Sequence, residues 1–123
     1  MTHPLQLENA VFLKLKKAGR KIYFGALNGK EIDFITQDRQ NVFEKYQVAQ
    51  TLHNDNTDRE LSPFVMKNTH LAKGSNILLT LDEHEETVEY KASKIFKHNI
   101  IKWLLNLARL LEGENYGGRT IFI

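Results

Sequence analysis

The run Asn76–Leu81, with the sequence NILLTL, constrains the fold of this chain more than any other segment. It is almost continuously apolar and has the length of one strand, a pattern typical of a strand covered on both faces. Such a strand lies inside a sheet that has a further layer on each side. A chain of 123 residues has room for one domain of this kind, so we predict a single α/β (α+β) domain over residues 1–123.

A first helix is predicted at Leu7–Ala18, where apolar residues recur at helical spacing and Gly19 stands at the position of a terminating glycine. On a helical projection, Glu8 falls inside the apolar arc rather than opposite it. Two interpretations of Glu8 are open. It is either a first-turn carboxylate that complements the helix dipole, or a functional residue directed toward the sheet.

Three strands are predicted after this helix. Lys21–Ala26 and Lys30–Thr36 form a hairpin, because an Asn-Gly pair at residues 28–29 is a strong hairpin signal. The third strand is Val42–Leu52, which alternates over its whole length. A polar turn at residues 37–41 separates this third strand from the hairpin.

Strand alternation assigns the side chains of these strands to faces. On the second strand, Ile32 and Phe34 are predicted to share one face and Asp33 to lie on the other. Aspartate is depleted in strands, so Asp33 needs a partner, a metal ion or a solvent-facing position. On the third strand, the residues predicted to share a face are Phe43, Lys45, Gln47, Ala49 and Thr51.

A second helix is predicted to start at Thr57 and to run through Lys67, with Glu60 completing a capping box. Pro63 interrupts this segment. The proline either kinks the helix or starts it anew, with Ser62 as the capping residue and Pro63 as the first helical residue.

The last third of the chain is predicted to hold an acidic loop at Asp82–Glu86, an edge strand that alternates through residues 88–92, and a final helix at Ile100–Glu112. Asn99 caps this helix and Gly113 ends it. Its apolar residues cover more than half of its circumference. That width suits either a deeply buried helix or a helix with a second partner, such as a neighbouring domain or the other copy in a homodimer.

The predicted order is α-β-β-β-α-β-(β)-α, with a central mixed sheet of about four strands flanked by helices. The tail at residues 113–123 is unassigned. The formal charge of +2 does not by itself indicate nucleic-acid binding, and the absence of cysteine excludes thiolate and Cys-ligated zinc chemistry. No apolar run is long enough to span a bilayer, so we expect no membrane partner and a cytoplasmic protein.

Known nucleotide-binding, esterase and zincin motifs are absent, which leaves one candidate for chemistry. Glu8 on the first helix, Asp33 on the second strand and Gln47 on the third strand are brought together if the helix packs on those strands. Carboxylates with waters and phosphate are the usual ligands of Mg²⁺. A metal-polarised water held there would attack a phosphodiester, and a nearby lysine would stabilise the developing charge. No cofactor is assigned other than this Mg²⁺.

The order helix-Glu, strand-Asp, then Gln-x-(Lys) on the next strand resembles the PD-(D/E)XK, or restriction-endonuclease-like, superfamily. Longer local phrases resemble, more specifically, the C-terminal domain of unknown function of prokaryotic AAA-type predicted ATPases. The similarity extends over about Leu7 to Leu105. The phrases are LENAVF at residues 7–12, GKEIDFI at 29–35, YQVAQTL at 46–52, TDRE at 57–60 and LTLD at 79–82.

The resemblance implies that Glu8, Asp33 and Gln47 are the metal-proximal residues and that the lysine position falls on Ala49. Alanine cannot donate to a phosphate, and a neutral Gln47 holds Mg²⁺ more weakly than a carboxylate does. Lys45 shares the face of Gln47, and is either a relocated catalytic lysine or, as we favour, a lysine on the strand surface. The implied site is degenerate.

Three functions remain open at this point. The first, which we prefer, is a nuclease-like accessory domain of an AAA-type ATPase that binds DNA or a partner segment without cutting. The second is a Mg²⁺-dependent nuclease with the site Glu8, Asp33, Gln47 and Lys45. The third is a purely structural domain that docks on the ATPase domain of the parent chain or dimerises. The lysines expected to contact phosphates are Lys14, Lys16, Lys17 and Lys45.

Overall fold

The computed structural model of the protein describes residues 5–27, 30–65 and 74–105. One sheet dominates it, and helices lie on both of its faces. The elements in chain order are α1 (Leu5–Lys17), β1 (Lys21–Leu27), β2 (Lys30–Gln37), β3 (Phe43–Val48), α2 (Thr57–Leu61), a 3₁₀ turn (Ser62–Phe64), β4 (Ser75–Thr80), β5 (Glu86–Tyr90), β6 (Ser93–Asn99) and a helical segment, α3, at residues 100–105.

The sheet is mixed and has the strand order β1-β2-β3-β4-β6-β5. β1, β2 and β3 form an antiparallel meander, whereas β3, β4 and β6 are parallel, and β5 pairs antiparallel with β6. The predicted α/β class is therefore confirmed. The sheet has six strands rather than about four, and the predicted order lacks one of them.

Two apolar clusters cover the two faces of the sheet. One cluster lies under α1 and α3, and consists of Val11, Leu15, Phe34, Tyr46, Val48, Ile77, Leu79 and Ile100. The other lies under α2 and the 3₁₀ turn, and consists of Ile32, Ile35, Ala49, Leu61, Phe64, Leu78 and Ile95. Neighbouring residues of β4 alternate between the clusters, as strand geometry requires.

The apolar run Asn76–Leu81 supplies most of β4, the central strand of this sheet. β4 lies between β3 and β6, and its residues Asn76–Thr80 are all buried. The prediction of a central strand covered on both faces is confirmed. β3 is shorter than the predicted Val42–Leu52, but contacts with β4 continue past its end, because Ala49 N donates to Leu79 O at 3.0 Å and Leu81 N to Gln50 O at 2.9 Å.

β6 is the strand that the sequence did not indicate. Its buried apolar side chain is Ile95, whereas Phe96 is exposed and the inward-facing Lys97 carries a charge. Lys97 is accommodated by ion pairs with Asp82 at 3.2 Å and Glu86 at 3.4 Å. A charged residue at an inward position removes the alternation by which a strand is predicted.

The start of α3 agrees with the sequence. Asn99 precedes the first helical residue, and its side-chain oxygen accepts a hydrogen bond from Lys102 N at 3.0 Å, which is the geometry of an N-cap. Residues 106–112 of the predicted helix, its end at Gly113, the tail at residues 113–123 and the hairpin turn at residues 28–29 lie outside the described residues.

The second helix starts at the predicted residue, Thr57, but its capping and its end differ from the prediction. Thr57 lies inside α2 and its hydroxyl donates to His53 O at 2.7 Å, while Asn56 occupies the cap position without a side-chain bond into the helix, so the capping box is wrong. α2 ends at Leu61, and Pro63 falls in the first turn of the following 3₁₀ segment, where its missing N–H costs nothing. The helix is neither kinked at Pro63 nor started anew with Ser62 as its capping residue, because α2 ends at Leu61 and Ser62 already belongs to the 3₁₀ segment.

No helix among the described residues is long and apolar enough to cross a membrane.

Candidate functional site

The strands β2 and β3 separate at Asp33 and Gln47. Their regular pairing runs from Gln37 and Phe43 to Phe34 and Tyr46, and then stops. Beyond these pairs, hydrogen bonds that involve side chains replace the backbone hydrogen bonds between the two strands. Asp33 N donates to Gln47 Oε1 at 2.7 Å, and Val48 N donates to Asp33 Oδ2 at 2.8 Å.

A shift in the pairing of β1 and β2 lies next to Asp33. Tyr23 pairs with Ile35, but Gly25 pairs with Ile32, so β2 has one extra residue between these pairs. This β-bulge breaks the alternation of β2, because an extra residue re-aims the side chains beside it. The prediction that Ile32 and Phe34 share a face is therefore wrong: the two residues belong to clusters on opposite faces. The bulge aims Asp33 at the gap between β2 and β3.

Gln47 connects this gap to α2. Its Nε2 donates to Glu60 O at 3.2 Å, while its Oε1 accepts the N–H of Asp33. The side chain is buried, so these protein contacts replace the hydrogen bonds it would make with water. Both ends of the amide are thus engaged in holding β2, β3 and α2 together.

Four carboxyl groups lie close enough to influence the pKa of Asp33 or Glu60 at this point. Burial raises the pKa of Asp33 to about 6 against the opposing hydrogen bond from Val48, and the negative charges of Glu8, Glu60 and Glu31 raise it further. Burial also raises the pKa of Glu60, and the charge of Glu8 adds to that effect. Since α1 and α2 pack on opposite faces of the sheet, Glu8 and Glu60 approach Asp33 from two sides.

The structure brings the predicted site residues together in the following way. Asp33 and Gln47 are in direct contact, and Glu8 is half-buried on α1 and lies within electrostatic reach of Asp33. Glu60 also belongs to this group of residues. It was not predicted as a site residue, because the sequence pattern assigned it to a capping box. The one signal for it was its place in the phrase TDRE at residues 57–60.

Lys45 does not lie on the strand surface. Its exposed fraction is 0%, and burial lowers its pKa to about 8. It is flanked by Ile35 on β2 and Asn76 on β4, because β3 lies in the interior of the sheet. The interpretation as a surface lysine is wrong, and Lys45 is not part of a surface that contacts phosphates.

The chemistry of this donor set is only partly that of a Mg²⁺ centre. Glu8 and Asp33 offer carboxylate oxygens of the kind that Mg²⁺ binds. Gln47 Oε1 already accepts a protein N–H, and Glu60 pairs with Arg59 Nε at 3.4 Å. Within residues 5–27, 30–65 and 74–105, no three His, Cys, Asp or Glu side chains form a group with the spacing of a metal site.

A second polar cluster lies at the end of β4 and has a structural role. Asp82 accepts hydrogen bonds from Thr51 Oγ1 at 2.6 Å and Leu52 N at 3.0 Å, and pairs with Lys97. Although burial raises the pKa of Asp82, these bonds hold it below its usual value. The cluster fixes the loop that leads to α2, and so places Glu60.

Comparison of the chain with protein-family models, with curated proteins and with solved structures gives no match.

Proposed function

We propose that this chain is a restriction-endonuclease-like accessory domain of an AAA-type ATPase, which binds DNA without cutting it. The order α1-β1-β2-β3-α2-β4 supports this proposal, because it follows the predicted order through the fourth strand. The sheet supports it as well, with Glu8 on the helix packed over β2 and β3, Asp33 on β2 and Gln47 on β3. The resemblance in sequence supplies the ATPase context.

One observation carries the non-catalytic part of the proposal. The amide of Gln47 is hydrogen-bonded to the protein at both ends, to Asp33 N and to Glu60 O. A side chain used in this way connects β2, β3 and α2, and its polar atoms are engaged with the protein rather than with a metal ion. The lysine position is taken by Ala49, which is buried, and Lys45 is fully buried, so no side chain of this strand offers an ammonium group to a scissile phosphate.

DNA binding is proposed to involve the end of α1. Lys16 and Lys17 are exposed in its last turn, and Lys14 is half-exposed. Lysines that neutralise phosphates release counterions, so affinity for DNA depends on salt. These lysines lie at one end of the helix that carries Glu8 at its other end.

A Mg²⁺-dependent nuclease is the second candidate function. It is favoured by the proximity of the carboxyl groups of Glu8 and Asp33, because carboxylate oxygens are ligands that Mg²⁺ binds. In that case Glu8 and Asp33 would hold the Mg²⁺, which would polarise the attacking water. Gln47 would then connect β2 and α2 to β3 beside the metal ion.

Cleavage and binding assays separate the two candidates. Plasmid and oligonucleotide DNA are incubated with Mg²⁺ or Mn²⁺ and with wild type, Asp33→Ala or the exposed control Asp55→Ala. We expect no cleavage by any of the three proteins. Cleavage by wild type and Asp55→Ala that disappears in Asp33→Ala would establish the nuclease instead.

In the binding arm, the affinity of wild type for DNA is measured against salt concentration. We expect a log–log slope of about −0.9 per phosphate contact for a duplex. Lys16→Ala and Lys17→Ala should each reduce the steepness of the slope. Lys94→Ala, an exposed lysine on β6, serves as the matched control. An affinity that is independent of salt would contradict the proposed DNA binding.

Docking or dimerisation through the final helix stays a proposal. In its described part, Trp103 and Leu104 pack against the core, whereas Ile101 and Leu105 are 49% and 59% exposed. The ATPase domain of the parent chain or a second copy would cover these two residues. Light scattering of wild type and Leu105→Glu tests the homodimer, which the glutamate should dissociate.

A further inference from the structure

The strand β1 at one edge of the sheet presents an aromatic ring to solvent. Phe24 is 63% exposed, yet its ring centroid lies 5.7 Å from that of Phe12 and 5.6 Å from that of Phe34. Phe12 and Phe34 in turn approach to 6.4 Å, and Phe34 is buried in the core. Phe12, Phe24 and Phe34 form an aromatic platform. Its contacts hold the Phe24 ring in place and leave much of the ring open to solvent.

The aromatic platform adjoins the carboxyl groups of the candidate site. Phe34 follows Asp33 directly on β2, and Phe12 lies one helical turn after Glu8 on α1. Phe24 itself stands on β1 where the bulge interrupts its pairing with β2. The aromatic platform is therefore built on the same helix and the same strand as Glu8 and Asp33.

Positive charge lies on the helix beside the aromatic platform. Lys16 Nζ lies 5.7 Å from the centroid of the Phe12 ring, and both Lys16 and Lys17 are exposed. An exposed aromatic ring next to ammonium groups complements a ligand that has both flat apolar faces and negative charges.

We propose that Phe24 stacks with an unpaired base of single-stranded DNA, whose phosphates contact Lys16 and Lys17. The inference rests on the proposed function, DNA binding, and adds the form of DNA that is bound. Proteins that bind single strands combine a positively charged path with aromatic side chains on which bases stack, and every base offers such a face. In a duplex the base faces are covered by their neighbours, so a fixed exposed ring favours single strands or frayed ends.

The test measures the affinity of the protein for a fluorescent single-stranded oligonucleotide and for the blunt duplex of the same sequence. Divalent cations are left out so that no cleavage occurs. Phe24→Leu keeps the apolar contact with Phe12 and Phe34 and removes the aromatic face, whereas Phe24→Trp keeps that face. Val42→Ala, at a position that is 51% exposed, is the matched surface control. Thermal unfolding of all four proteins establishes that each is folded.

We expect wild type to bind the single strand more tightly than the duplex. Loss of one stacked base should weaken single-strand binding by about 5- to 150-fold in Phe24→Leu, with little change for the duplex. Phe24→Trp and Val42→Ala should bind like wild type.

Three results would overturn the inference. If Phe24→Leu binds the single strand as wild type does, the stacking role fails while DNA binding, the proposed function, stands. If wild type binds neither form of DNA, both proposals fail. If wild type binds no DNA but self-associates, and Phe24→Leu does not, then a second copy of the chain covers the ring.

Discussion

The backbone N–H of Asp33 donates a hydrogen bond of 2.7 Å to the side-chain oxygen of Gln47 on the neighbouring strand. This contact stands where a backbone pair of the β2–β3 ladder would otherwise lie. It requires an acceptor on residue 47, and the contact of the same side chain with Glu60 O requires a donor. An amide satisfies both requirements, which explains how a neutral polar residue is stable at this buried position.

Gln47→Glu is expected to destabilise the protein near neutral pH. A carboxylate cannot donate to Glu60 O, and it adds a negative charge beside Asp33. A buried acceptor left without its donor costs about 1–3 kcal/mol. Urea unfolding at about pH 7.5 measures the loss, with the half-buried Gln50→Glu as the control. An unchanged free energy of unfolding would show that the bond from Gln47 to Glu60 does not contribute.

Asp33→Asn is expected to stabilise the protein at neutral pH and not in acid. The pKa of Asp33 is raised from 3.8 to about 6 on folding, so between these values the folded protein binds more protons than the unfolded chain. Wild type therefore loses stability as pH rises through this window, and the penalty is fully present above it. Asparagine removes the charge, and its oxygen still accepts the N–H of Val48.

The free energy of unfolding of Asp33→Asn and wild type is compared from about pH 3.5 to about pH 7.5. The variant should gain about 1–3 kcal/mol over wild type at the upper end and nothing at the lower end. Asp55→Asn, at an exposed position, should follow wild type throughout. A difference between Asp33→Asn and wild type that does not vary with pH would contradict the raised pKa.

Asn99→Ala is expected to lower stability by about 0.5–2 kcal/mol, because it removes the side-chain cap of α3. It also removes the donation from Asn99 Nδ2 to Asp82 O at 3.1 Å. The effect is measured by thermal unfolding, with the exposed Asn54→Ala as the control. Equal unfolding temperatures for the two variants would show that α3 is stable without this cap.

Ala92→Gly is expected to raise stability. Lys91 and Ala92 form the two-residue turn between β5 and β6, and Ala92 has a φ of +67°. The left-handed conformation costs a residue with a Cβ about 1–2 kcal/mol, whereas glycine adopts it freely. The greater freedom of glycine in the unfolded chain offsets about 0.4–1 kcal/mol of this gain.

The same substitution in a helix is the control for this turn. Ala10→Gly, in the middle of α1, should lower stability by about 0.5–1 kcal/mol. The two variants should therefore shift the unfolding temperature in opposite directions. A lower unfolding temperature for Ala92→Gly would contradict the strain assigned to the turn.

Local sequence signals determined the elements that follow a regular pattern. α1, the hairpin strands β1 and β2, the buried strand β4 and the cap at Asn99 all agree with their predictions. Each depends on residues close together in the chain, whether apolar spacing, alternation or a capping side chain. The contact between Asp33 and Gln47 was also foreseen, because two neighbouring strands place it there.

Tertiary structure decided the features that depend on distant partners. Lys97 is buried in β6 because Asp82 and Glu86 pair with it, and no local pattern predicts such a strand. Lys45 is buried because its face of the sheet, which it shares with Ala49, is covered by α2 and the 3₁₀ turn, although its alternation fits a surface position equally well.

The site itself shows the same division between local and distant causes. The residue types at Glu8, Asp33 and Gln47 were sufficient to single them out in the sequence. The bulge that aims Asp33 at the gap between the strands arises from the register of β1 against β2, which no residue of β2 specifies alone. Glu60 lies at the site because α2 packs on the sheet there, on the face opposite to α1. Sequence patterns report which residues repeat at the period of an element, whereas register and packing depend on contacts between elements.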